Sequence, residues 1–143
     1  MPNPLKVVVG NHYLAFVLDE ACKSAITTLF SSKHPVVKCH HVTIAYDFGD
    51  EDIPRLQALV DSNPKFSLGN LFTSEVVDVF QVFVNEELLD TDKSVTHLTF
   101  AHAESAQSSD SNRLFKDGIR LTGYFFANDE LSGHFELIEK KVR

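Results

Sequence analysis

Residues 40–49 read HHVTIAYDFG, and the tetrapeptide inside them, His41, Val42, Thr43, Ile44, has a counterpart in THLTFAH, residues 96–102, as His97, Leu98, Thr99, Phe100. Each copy is histidine, apolar, threonine, apolar. In a β-strand successive side chains point to opposite faces, so the histidine and threonine of each copy share one face and the two apolar residues share the other. The pattern therefore predicts two strands, each with a polar face that can carry a site and an apolar face that can enter a core. A chain of this composition offers roughly 0.2 matches to the pattern by chance, so it is the pair and not either copy alone that is informative.

Outward from the first motif, HPVVKCHHVTIAYDF reads as one strand that starts after Pro35. Before it, NHYLAFVLDE from Asn11 reads as a strand, and EACKSAITTLFSSK as a helix capped by Asp19. After it, EDIPRLQALVDSN has acidic residues and Pro54 in its first turn and stops near Asn63 and Pro64, the marks of a second helix. FSLGNLF and SEVVDVFQVFVN follow as strands, and a polar break at 85–94 leads to the second motif strand, SVTHLTFAHA. The Ser-rich segment 104–112 is expected to be a mobile loop feeding a short helix, RLFKDG, that Gly118 stops. The end, IRLTGYFFANDELSGHFELIEKK, is expected to form a hairpin around NDELSG. This order predicts an α+β fold of antiparallel sheets flanked by helices, one domain over 1–143, with the repeated motif suggesting two similar lobes that face each other.

The chemistry of the motif residues is specific. Near neutral pH one imidazole can accept a proton while a second, protonated, donates one, and threonine hydroxyls can donate hydrogen bonds to an anion held between them. A phosphodiester suits such a site. One histidine would deprotonate a water or a ribose hydroxyl, the other would protonate the departing oxygen, and the threonines would hold the non-bridging oxygens as charge develops. The scheme requires no metal and no other cofactor.

HVTI and HLTF resemble the signature of the 2H phosphoesterase superfamily, named for two His-apolar-Ser/Thr-apolar motifs on facing lobes of a small α+β fold. The resemblance covers the motif pair, its placement on strands and the order of elements. It implies a two-lobed fold with a central cleft, His41 and His97 as the catalytic pair, and Thr43 and Thr99 as phosphate clamps. Relatives that it brings in are cyclic phosphodiesterases of RNA ends, 2′-5′ oligonucleotide hydrolases and small phage anti-CBASS nucleases that destroy cyclic oligonucleotide signals. The expected activity is metal-independent cleavage of a small or cyclic nucleotide phosphodiester. A 2′,3′-cyclic phosphodiesterase of RNA ends and a non-catalytic nucleotide-binding module are the alternatives.

Bulk properties narrow the field. Twenty acidic against thirteen basic residues, a formal net charge of −7, argue against a long nucleic-acid partner, which needs clustered Lys and Arg, but leave room for one small anionic substrate. No apolar run approaches the roughly 20 residues that a membrane helix needs. MPNPLKVVVGNH at the start has one lysine and an apolar run too short for a secretory signal, so a cytoplasmic location is expected. Cys22 and Cys39 have no metal-binding spacing and read as reduced thiols inside the fold. The acidic run DFGDED reads as a solvated turn and helix start.

Other candidates are weaker. His40 lies on the strand face opposite His41 and is expected to be a buried or surface residue rather than a second catalyst, His97 and His102 have the wrong parity to share a metal, and His12, His34 and His134 carry no motif. Tyr13 and Tyr124 are the substrate-binding candidates, because an aromatic on a strand near the motifs can stack on a nucleobase; Phe16 and Phe126 are similarly placed, and a core role is the plain alternative for all four. Lys38, Arg113, Lys116 and Arg120 are the cations nearest the motif strands or the Ser-rich loop, each expected to be a solvated charge.

Overall fold

A computed structural model of the chain describes residues 5–29, 34–89, 96–104, 119–121 and 130–140. Within them the elements are β1 (His12–Leu18), α1 (Glu20–Leu29), β2 (Val36–Val37), β3 (His41–Ala45), a 3₁₀ turn (Asp50–Asp52), α2 (Ile53–Asp61), β4 (Phe66–Thr73), β5 (Val77–Val84), β6 (His97–His102), β7 (Ile119–Leu121) and β8 (Gly133–Glu139). The fold is mixed α+β. All paired strands run antiparallel in one sheet of order β7-β4-β5-β6-β3-β1-β8, with β2 added along β6. The Ser-rich segment and the short helix expected at 113–118 lie outside the described residues, apart from Glu104.

Local chemistry explains the helices. The Asp19 carboxylate accepts from the Cys22 backbone N–H at 2.8 Å, which satisfies one of the donors left over at the start of α1. That bond and a second one from Ser132 hold its pKa below the ordinary carboxylate value. Pro54 stands in the first turn of α2, where its missing N–H costs nothing, and Leu56 and Val60, four apart, are buried on one face. Asn63, in the left-handed region at φ 50°, ends the helix where the sequence predicted. The acidic run supplies the 3₁₀ turn, with Asp52 accepting from the Gly49 N–H at 3.0 Å.

Two expectations need correcting. The run from Val36 to Ala45 is not one strand: Cys39 takes φ 46°, and this left-handed residue splits it into β2 and β3. Among the described residues, which leave out 122–129, the last two strands do not pair with each other as a hairpin either. β7 pairs with β4 at one edge of the sheet, whereas β8 pairs with β1 at the other through seven positions from His12–Glu139 to Leu18–Gly133. Gly133 makes that last pairing possible, since a Cβ there would lie 2.0 Å from the Val17 carbonyl oxygen.

The main core occupies one face of the sheet, and a smaller buried cluster of Phe72, Val77 and Val79 lies apart from it. Phe16, Val42, Leu98 and Phe80 stand opposite one another in register across β1, β3, β6 and β5, and all four are buried. Residues directly opposite in an antiparallel pair share a face, so this row defines the inner side. Ile26 of α1 and Leu56 and Val60 of α2 join the same cluster. Phe66 of β4 stacks on Phe16 at 3.9 Å, and Phe135 meets both rings edge-on. Because β4 and β1 are separated by three strands in the sheet, that contact requires the sheet to curl. Leu131 closes the curl with a backbone bond to the Phe66 carbonyl at 2.8 Å. Burying each such side chain contributes roughly 1.5–3 kcal/mol.

Candidate active site

With Val42 and Leu98 on the inner side, strand alternation sends His41 and Thr43 of β3, and His97 and Thr99 of β6, to the opposite face. All four are half-buried while their apolar neighbours Val42, Ile44, Leu98 and Phe100 are buried. The two strands are adjacent and run in opposite directions, so His41 lies on the Thr99 side of the Val42–Leu98 pair and Thr43 on the His97 side. Each histidine is thereby brought beside the other motif's threonine. The predicted quartet is assembled on one face.

The seam between β3 and β6 is narrow. Lys38 and Cys39 donate backbone bonds to the Phe100 and Thr99 carbonyls, and after the left-handed turn at Cys39 the two strands share the single pair Val42–Leu98. Sheet pairing is otherwise extensive on either side, β3 with β1 and β6 with β5. The motif residues thus flank a joint in the sheet. Gln81 of β5 stands opposite His97, and its amide oxygen accepts from the Asn70 side chain at 3.3 Å.

His41 is the better defined of the two imidazoles. Its Nε2 lies 3.3 Å from the Tyr13 hydroxyl, and its Nδ1 lies 2.9 Å from Nδ1 of His40. Burial, followed by the charges on His40, His97 and Lys38, lowers its pKa from 6.5 to about 4. His41 is therefore neutral at physiological pH, and one of its ring nitrogens carries no proton.

Tyr13 stands beside His41, and its ring contacts are with His41 and Tyr46. Its ring stacks on Tyr46 at 5.4 Å, and burial, with a smaller effect of Tyr46, raises the phenol pKa, which keeps the hydroxyl protonated as a donor. Lys140, just past β8, braces this stack: its Nζ lies 4.6 Å from the Tyr46 ring centre and 2.6 Å from Asp47 Oδ1. Tyr124, the other substrate-binding candidate, lies outside the described residues, as do Phe126, Arg113 and Lys116.

Sequence reasoning missed the Tyr46 contact and placed the His40 ring on the wrong side of His41. Tyr46 follows the last residue of β3, where strand parity no longer says which way a side chain points. His40 precedes β3 and follows the left-handed Cys39, so the alternation that would have turned it away from His41 does not hold.

Phe16 and the other histidines make their contacts elsewhere. Phe16 is a core residue. His34 and Asp78 are buried together, 3.7 Å apart, with Thr73 donating to the same carboxylate oxygen. His12 bonds the Val8 carbonyl, His102 the Ala103 carbonyl, and His134 pairs with Glu136 at 2.6 Å. Both cysteines are free, and burial pushes the Cys39 thiol up to about 12. Among the described residues no three His, Cys, Asp or Glu side chains converge as a metal site, and no helix is long and apolar enough to cross a membrane. A cavity of about 260 Å³ beside Phe16, Pro64, Leu131 and Gly133 is lined by none of the motif residues. Comparison of the chain with protein-family models, with curated proteins and with solved structures finds no match to any of them.

Proposed function

We propose that the protein is a metal-independent phosphodiesterase that cleaves a small or cyclic nucleotide by paired-histidine acid–base catalysis. The observation that carries the reading is the gathering of His41, Thr43, His97 and Thr99 on one sheet face across the β3–β6 seam. In this reading the sheet halves on either side of the seam are the two lobes of a 2H-like fold, and the seam is the floor of its cleft. His41, neutral in the free protein, takes the proton from the attacking hydroxyl or water. His97 then protonates the departing oxygen. The new P–O bond forms as the old one breaks, and the hydroxyls of Thr43 and Thr99 donate to the non-bridging oxygens as charge builds on them.

The net charge of −7 favours a compact substrate over a polymer, and a cyclic oligonucleotide signal is the preferred class. The test is incubation with cyclic dinucleotides, 2′,3′-cyclic mononucleotides and 2′-5′ oligonucleotides in excess EDTA. Hydrolysis of a cyclic dinucleotide is the expected result. Turnover of 2′,3′-cyclic ends alone would move the assignment to RNA-end processing, binding without turnover would make the protein a nucleotide-binding module, and loss of turnover on chelation with recovery on adding a divalent ion would overturn the mechanism.

A further inference from the structure

The contact between His40 and His41 joins two ring nitrogens, Nδ1 to Nδ1, at 2.9 Å. Between neutral imidazoles such a bond has one donor and one acceptor, so the protonation of each ring dictates that of the other. The second nitrogen of His41, Nε2, faces the Tyr13 hydroxyl at 3.3 Å. A phenol is a better donor than acceptor, and this one stays protonated because burial and Tyr46 raise its pKa. The chain that satisfies all three groups runs in one direction: Tyr13 O–H to His41 Nε2, then His41 Nδ1–H to His40 Nδ1, which leaves the remaining proton of His40 on its Nε2. His40 is exposed while His41 is half-buried, so the far end of the chain is in water.

Resting on the phosphodiesterase reading, we propose that His40 is a positioning residue that fixes His41 in the tautomer with an unprotonated Nε2 and relays its proton to solvent. When the attacking oxygen replaces the loosely held Tyr13 hydroxyl, its proton passes to His41 Nε2. The Nδ1 proton of His41 moves to His40 Nδ1, and His40 releases its Nε2 proton to water, so one proton enters the pair and one leaves. The positive charge that the attack creates is thereby carried to an exposed ring. Holding it on His41 is unfavourable, because that ring is partly desolvated and lies near Lys38 and His97. Tyr13, from β1, is the further titratable group that the structure places against it.

The arrangement also gives the doubled histidine of HHVTI a purpose that strand parity alone denies it. The left-handed Cys39 is what turns His40 toward its neighbour.

The experiment is ¹⁵N–¹H spectroscopy of the histidine rings in the full chain at pH 7, on the parent, His40→Ala and His40→Asn, followed by kinetics on the substrate found above. His40 is exposed, so neither variant is expected to disturb the fold. In the parent, His41 should show a protonated Nδ1 and a bare Nε2. His40→Ala should move His41 toward the Nε2–H tautomer. His40→Asn, whose amide oxygen can accept from Nδ1–H but cannot carry a proton onward, should keep the parent tautomer. In kinetics both variants should lower kcat, on the order of tenfold, with KM little changed. A His41 signal identical in parent and His40→Ala would overturn the proposal. The spectra do not need turnover: a tautomer shift in a protein that cleaves nothing would sink the phosphodiesterase reading and keep the pair, whereas turnover with no tautomer shift would do the reverse.

Discussion

β3 and β6 carry the same four-residue pattern in unequal settings. β6 is paired with β5 from Gln81–His97 to Val77–His102, and β2 covers its far end. β3 starts immediately after the left-handed Cys39 and His40, takes β1 as its main partner and touches β6 at one residue pair. The difference teaches that the periodicity of a motif decides the face of the sheet, while neighbours decide what a side chain can do there. His41 acquires His40 and Tyr13 from the irregular approach and from β1, and is held neutral. His97 sits on an internal strand, opposite Gln81. We read this asymmetry as the assignment of base to His41 and acid to His97.

The sharpest way to break that reading is to remove each ring. His41→Ala and His97→Ala are each expected to lower kcat by roughly 10²–10⁴-fold, and the double variant should lose little more, because the two act in one proton-transfer cycle. Steady-state rates of the three variants check this. Additive losses would separate the two histidines.

Next in size is the joint that holds the two strands together. Leu98→Ala, at a fully buried position opposite Val42, should cost about 2–5 kcal/mol of stability, read from urea unfolding. A cost below about 1 kcal/mol would show that the seam is looser than its burial indicates.

Acid should expose the difference between the two histidines. The folded pKa of His41 lies near 4 against an ordinary 6.5, so the unfolded chain binds the proton first. Stability is then complete above pH 6.5 and declines as pH falls toward 4, by about 3 kcal/mol from this group. His41→Gln should remove that part of the decline. The same lowered pKa places the acid limb of kcat/KM near pH 4, and a limb near 6.5 would contradict the assignment of His41 as base.

The smallest effects concern hydroxyls. Thr99→Ser should keep most of the activity and Thr99→Val should lose on the order of tenfold, since one hydrogen bond to developing charge is removed. Tyr13→Phe should change the rate by only a few-fold, because its hydroxyl yields its place to the attacking oxygen. Parallel rate measurements order these three variants.

How far the sequence could be read follows from where strand periodicity holds. Both motif strands, the faces of their histidines and threonines, the Asp19 cap and the stop at Asn63 depend on spacing and capping, which are local, and they were legible. The break at Cys39 was not, because a left-handed non-glycine residue has no sequence mark and is held by its surroundings. From that break follow the turn of His40 toward His41 and the splitting of β2 from β3. The separation of β7 from β8 was hidden for another reason: strand partners are chosen by the whole sheet, and β1 offers β8 a seven-position register that a local turn signal cannot foresee. SEVVDVFQVFVN reads as a strand throughout, and nothing in it marks that Asp78 is buried with His34 and Thr73, at a register shift between Asp78 and Val79.

³¹P spectra of a cyclic dinucleotide mixed with the parent protein or the His41→Ala, His97→Ala double variant, both in EDTA, show whether the two histidines on one sheet face break a phosphodiester. With the parent the phosphodiester signal is expected to give way to a monoester signal, and with the double variant it is expected to persist, the ligand still bound. Equal conversion by both proteins, or a bound ligand that both leave intact, would contradict the paired-histidine reading.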